Sequence, residues 1–97
     1  MTRVVLASAL SRWLSAGGEA SGGEVALECE GERLDAVLGQ LFARHPNLRG
    51  FVLDERGSVR HHVAIFVDGE AIRDKADLRL ALRPGAEVYV MQALSGG

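Results

Sequence analysis

The 97 residues are 47% hydrophobic and 25% charged, the balance of a single folded domain able to bury well over half of its unfolded surface. The 11 basic and 13 acidic residues leave a net charge of −2 and form no basic block, which argues against nucleic acid as a partner. One cysteine excludes an internal disulfide framework and fits a reducing cytoplasm, and no apolar run approaches the ~20 residues of a membrane span.

The chain opens on "TRVVLAS", β-branched and apolar, which predicts a strand over Arg3–Ala7 rather than a secretory leader. Leu10, Trp13 and Leu14 then form a small apolar cluster. The Gly/Ser/Ala-rich stretch that follows predicts a flexible loop over 15–23. It holds many glycines but no Lys-Ser/Thr step into a helix, so it is not a phosphate-binding loop. "EVALECE" alternates, with Val25, Leu27 and Cys29 on one face and Glu24, Glu28 and Glu30 on the other. That is the pattern of a half-buried strand, and it places Cys29 in the core as an inert thiol.

Leu34, Val37, Leu38, Leu41 and Phe42 recur at helical spacing and form one stripe of about three turns. Arg33 stands where a capping side chain is expected, Asp35 suits the positive end of the helix, and Pro46 stops the run near Arg44 or His45. "NLRGFVLDERGS" reads as an irregular stretch whose Leu48, Phe51, Val52 and Leu53 plug the core, with Asp54, Glu55 and Arg56 in a solvated turn before Gly57. "VRHHVAIFVDGEAI" predicts a strand, a tight Asp68-Gly69 turn and a short return strand. His61 and His62, adjacent on that strand, are expected on opposite faces, where they cannot chelate one metal together; no metal site is expected. "DKADLRLAL" reads as a loop with a helical turn. "RPGAEVYVMQ" reads as a Pro-Gly turn into a last strand with Val88 and Val90 buried.

The resulting order, β-β-α-β-β-β, gives an α+β fold: a mixed sheet of four to five strands with one main helix across one face. The first and last strands are then able to pair in the middle of the sheet, the β-grasp arrangement. Residues 1–91 form the domain, and "QALSGG", residues 92–97, is expected to leave it as a flexible tail. In the hairpin strand Val63, Ile65 and Val67 face the core and Ala64 and Phe66 the opposite side, which Tyr89 and Met91 share. Phe66, Tyr89 and Met91 thus make an apolar patch near the tail, either a partner-binding surface or cross-strand pairs that merely stabilise an open sheet face.

The helix "LDAVLGQLFARHPNLR", the hairpin "HHVAIFVDGEAI", the turn and strand "LRPGAEVYV" and the closing "SGG" together resemble the MoaD/ThiS-like sulfur-carrier family of ubiquitin-like proteins. The resemblance spans nearly the whole chain except 15–23. It departs where Ala64 and Asp68 replace the family's usual Asn, and where "QALSGG" replaces something like "PAVAGG". It implies that the chain is a protein cosubstrate rather than an enzyme and binds no cofactor. A ubiquitin-activating-like adenylyltransferase would spend ATP to adenylate the Gly97 carboxylate, sulfur would convert it to a thiocarboxylate, and a synthase subunit would accept that sulfur. Molybdopterin is the first expected acceptor; thiazole, cysteine, RNA and secondary metabolites are others. Ala93, Leu94, Ser95 and Gly96 would thread a narrow channel, and Gly96 and Gly97, having no Cβ, fit one. The sequence leaves open a ubiquitin-like modifier conjugated through Gly97, and a noncovalent β-grasp binding module. The expected location is cytoplasmic, and the expected state is a monomer that joins larger enzymes.

Overall fold

A computed structural model describes residues 1–7, 10 and 24–92. Within them the elements run β1 (Thr2–Leu6), β2 (Val25–Cys29), α1 (Leu34–Arg44), α2 (Pro46–Val52), β3 (Val63–Val67), β4 (Glu70–Ala71) and β5 (Glu87–Gln92). The five strands make one sheet in the order β2-β1-β5-β3-β4. β1 and β5 lie side by side and parallel at its centre, Val4 opposite Val88 and Leu6 opposite Val90. The other pairings are antiparallel. This is the mixed β-grasp sheet that the alternation and element order predict.

The core fills the space between one sheet face and the helices. Val4, Leu6, Cys29, Val63, Ile65, Val88 and Val90 supply the sheet side, and Leu34, Val37, Leu38, Leu41, Leu48 and Val52 the helix side. Cys29 is fully buried, and desolvation pushes its thiol above the ordinary value, with the Arg44 charge opposing. Leu10 joins this core. Its expected neighbours Trp13 and Leu14, the loop at 15–23 and the tail residues Ala93, Leu94, Ser95, Gly96 and Gly97 lie outside the described residues.

α1 begins without a side-chain cap at Arg33, as its sequence suggests. Its first amides are satisfied instead by a distant stretch of backbone. The Leu34 N–H donates to the Leu80 carbonyl at 2.8 Å and the Asp35 N–H to the Leu78 carbonyl at 2.7 Å, while the Leu82 N–H returns a bond to Glu32. This pairing draws 78–82 out straight, including a bridge between Arg33 and Ala81. The helical turn expected in "DKADLRLAL" is reduced to a tight turn at Asp74–Asp77, closed by the Asp77 N–H on the Asp74 carbonyl.

Three expectations are corrected. Residues 46–52 are helical rather than irregular: Pro46 occupies the first helical position, where its missing N–H costs nothing, and Leu48 and Val52 fall one turn apart on the buried side. His61 and His62 lie in a turn ahead of β3, and their rings meet edge to face at 5.6 Å instead of pointing to opposite faces. β5 continues through Gln92, which pairs with Val63, so any tail starts beyond Gln92.

Candidate functional site

Strand register sets which side chains share the sheet face away from the helices. Reading across all five strands, Ala26 pairs with Val5, Val5 with Tyr89, Tyr89 with Phe66, and Phe66 with Ala71. Paired residues of a ladder share a face, so these five form one continuous uncharged row. One step toward the end of β5, Met91 pairs with Ala64. Two residues in the other direction lies a charged row, Glu28, Arg3 and Glu87, with the Arg3 guanidinium 3.7 Å from the Glu87 carboxylate. The open face therefore grades from charged to apolar along β5, and the chain leaves the sheet at the apolar end.

The three residues singled out in the sequence do come together here. Phe66 and Tyr89 are directly opposed, Met91 lies two residues along β5 from Tyr89, and all three are half-buried. Val5, on the same face, is only 7% exposed, and is the member that alternation within β1 alone does not mark out. The Tyr89 hydroxyl donates to the Glu24 carboxylate at 2.6 Å, joining β5 to the residue that leads into β2. That hydrogen bond, then partial burial and the Glu24 charge, raise the phenol above its ordinary value.

The hairpin beside this row is fixed by Asp68. With φ of 51° at Asp68 and 89° at Gly69, both turn residues occupy the left-handed region that suits a two-residue hairpin. The Asp68 carboxylate accepts the Glu87 N–H at 3.0 Å and the Arg83 guanidinium at 3.2 Å, and its own N–H donates to the Glu87 carbonyl. The Glu87 amide is the largest cause of a carboxyl held below its usual range, with Arg83 assisting. The Asp68 carboxylate thus anchors the start of β5.

Two other acids are paired off locally. Asp54 accepts the N–H groups of Arg56 and Ser58, closing its turn, and Asp77 is lowered to about 2 by the Arg79 guanidinium and amide. Among the described residues no group of three or more His, Cys, Asp or Glu side chains converges as a metal site. An open cleft of about 360 Å³ lies beside β4, lined by Val67, Ile72, Arg73 and Leu80 among others; Phe66, Tyr89 and Met91 do not line it. Among the described residues no helix is long and apolar enough to cross a membrane.

Comparison with known proteins gives this geometry its context. A family model described as the ThiS family matches residues 18–97. The chain is 28% identical over 79 residues to the sulfur carrier protein CysO of Mycobacterium tuberculosis, a match spanning 79% of this chain and 85% of that one. Among solved structures it resembles a chain of the BexX/CysO complex of Amycolatopsis orientalis, with a TM-score of 0.73, 19% identity and coverage of 97% and 99% of the two chains. The small archaeal modifier protein SAMP1 of Haloferax volcanii is similar at a TM-score of 0.71, 23% identity and coverage of 99% and 98%. With its sheet order, central parallel strand pair and a family match over most of its length, the chain belongs to the ThiS family and has the ubiquitin-like β-grasp fold of the sulfur carriers.

Proposed function

We propose that this protein is a sulfur carrier whose working group is the backbone carboxylate of Gly97. The observation that carries this reading is the family match, which extends through Gly97 and so takes in the diglycine as well as the fold. The sheet supports it, because β5 is central and delivers the chain to those glycines from a rigid strand.

A carboxylate is ionised at neutral pH and resists nucleophiles. A partner adenylyltransferase removes that obstacle. A Gly97 oxygen attacks the α-phosphorus of ATP, pyrophosphate leaves, and an acyl adenylate forms. Hydrosulfide then attacks the acyl carbon, AMP departs with the bonding pair, and a thiocarboxylate remains. ATP is consumed on the partner, and this chain acts as cosubstrate rather than enzyme. Closed pockets are needed because water hydrolyses the anhydride. Extended, 93–97 span roughly 17 Å beyond the end of β5, enough to reach a recessed site. Ordering them costs about 1–2 kcal/mol per residue, which a docking surface on the folded body offsets. The row formed by Phe66 and Tyr89, with Met91 beside it, is the surface assigned to that role. The likeness to CysO favours a CysO-type acceptor pathway, cysteine formation, over molybdopterin.

The experiment is intact-mass analysis after incubation with ATP, hydrosulfide and a ubiquitin-activating-like adenylyltransferase from the same organism. Replacement of one oxygen by sulfur, located on Gly97 by fragmentation, is the expected result. A chain lacking Gly97 should gain no sulfur. Retention of full pathway activity by that deletion would sink the carrier reading in favour of a noncovalent module, and higher-mass adducts on other proteins would favour a modifier.

A further inference from the structure

An activated acyl terminus is open to attack by any amine as well as by sulfur. The amine nitrogen would bond to the Gly97 acyl carbon and shed a proton while AMP leaves, giving an amide and a spent carrier. The side-chain amines of other copies of the carrier are one such supply. Of the 11 basic residues, ten are arginines and a single one, Lys75, is a lysine. Guanidinium groups stay protonated at any physiological pH and are not acyl acceptors.

The one lysine is engaged. Lys75 is half-buried in the turn at Asp74–Asp77, and its ammonium donates to the carbonyl of Arg60 at 3.1 Å and to that of His61 at 3.2 Å. Its own carbonyl accepts the Val59 N–H at 2.9 Å. Lys75 thus stitches its turn to the segment that enters β3, and its nitrogen is aimed at backbone. Before it can meet an acyl carbon it must lose a proton and swing off both carbonyls.

We infer that Lys75 is withheld from acylation, so that the activated form of this protein does not transfer onto copies of itself through a lysine side chain. This inference rests on the carrier reading above. Any amide that the chain forms with another protein is then a single unit rather than a lysine-linked polymer.

The reactivity of Lys75 is measured without a partner enzyme, and thiocarboxylate formation is measured separately with the adenylyltransferase. The full chain and the variant Arg56→Lys are treated with a water-soluble N-hydroxysuccinimide ester of acetic acid, and acetylation at each amine is followed by peptide mass mapping, which separates the α-amino group from Lys75. Position 56 is an exposed turn site. The expected result is that Lys75 reacts at least about tenfold more slowly than the lysine placed at 56, the factor that about 1.4 kcal/mol represents. Equal rates overturn the inference. Mild urea below the unfolding transition should leave the ratio unchanged, and full unfolding should abolish it; a ratio that survives unfolding also overturns the inference. Fast acetylation of Lys75 beside normal thiocarboxylate formation refutes this inference alone, whereas slow acetylation with no thiocarboxylate refutes the carrier reading alone.

Discussion

Tyr89 is the residue at which the stability of the sheet and the proposed docking surface meet. Its ring belongs to the uncharged row, and its hydroxyl is held by Glu24. It is also the only tyrosine in the chain, so phenolate absorbance reports it alone. Because its folded value lies above the ordinary one near 10, the associated stability is complete below that pH and is lost as alkali ionises the folded phenol. Spectrophotometric titration should place its midpoint above that of a denatured control, and Glu24→Ala should bring it down. An unchanged midpoint in the variant would mean that the hydrogen bond is not the main cause. At this scale the sequence was informative where alternation is strict, as with buried Cys29. It was silent on the Glu24 bond, which spans 65 positions and depends on the sheet being assembled.

Among elements, α1 shows why local reading runs out. The missing cap at Arg33 is visible in the sequence, but its replacement by the carbonyls of Leu78 and Leu80 is a tertiary event that no window of residues encodes. The same event overrides the helical turn expected at 74–82. α2 was missed for a different reason: seven residues with two buried positions carry too little periodicity to separate a short helix from a plug of apolar side chains. The entry to α1 also holds a strict steric requirement at Gly31. Its φ is +149°, and a Cβ there would sit 2.9 Å from the Val37 Cγ2 atom. Gly31→Ala should therefore cost about 2 kcal/mol or more, read as a lower urea midpoint with unchanged slope. A loss below about 0.5 kcal/mol would show that the turn relaxes freely.

For the whole molecule, the central pairing of the first and last strands was legible because β2, β3 and β5 alternate and β1 is mostly apolar. The open face was legible in part. Phe66, Tyr89 and Met91 follow from alternation, but the contribution of Val5 and Ala26 needs the register of three ladders. The row makes a prediction about association. Phe66→Asp puts a charge at its centre and should weaken binding to the adenylyltransferase tenfold or more in calorimetry, as truncating a central anchor does. The unfolding free energy should fall by no more than about 1 kcal/mol, since the residue is half-buried on an open face. Unaltered affinity would remove the row from the docking surface.

The parallel pairing of β1 with β5 has a mechanical consequence. A partner that draws the end of the chain inward pulls along the axis of β5. That strand is held on one flank by β1 and on the other by β3, through hydrogen bonds set across the direction of pull. Such a load shears both ladders at once rather than opening them bond by bond, so the domain can be tugged hard by its last residues without its centre strand peeling away.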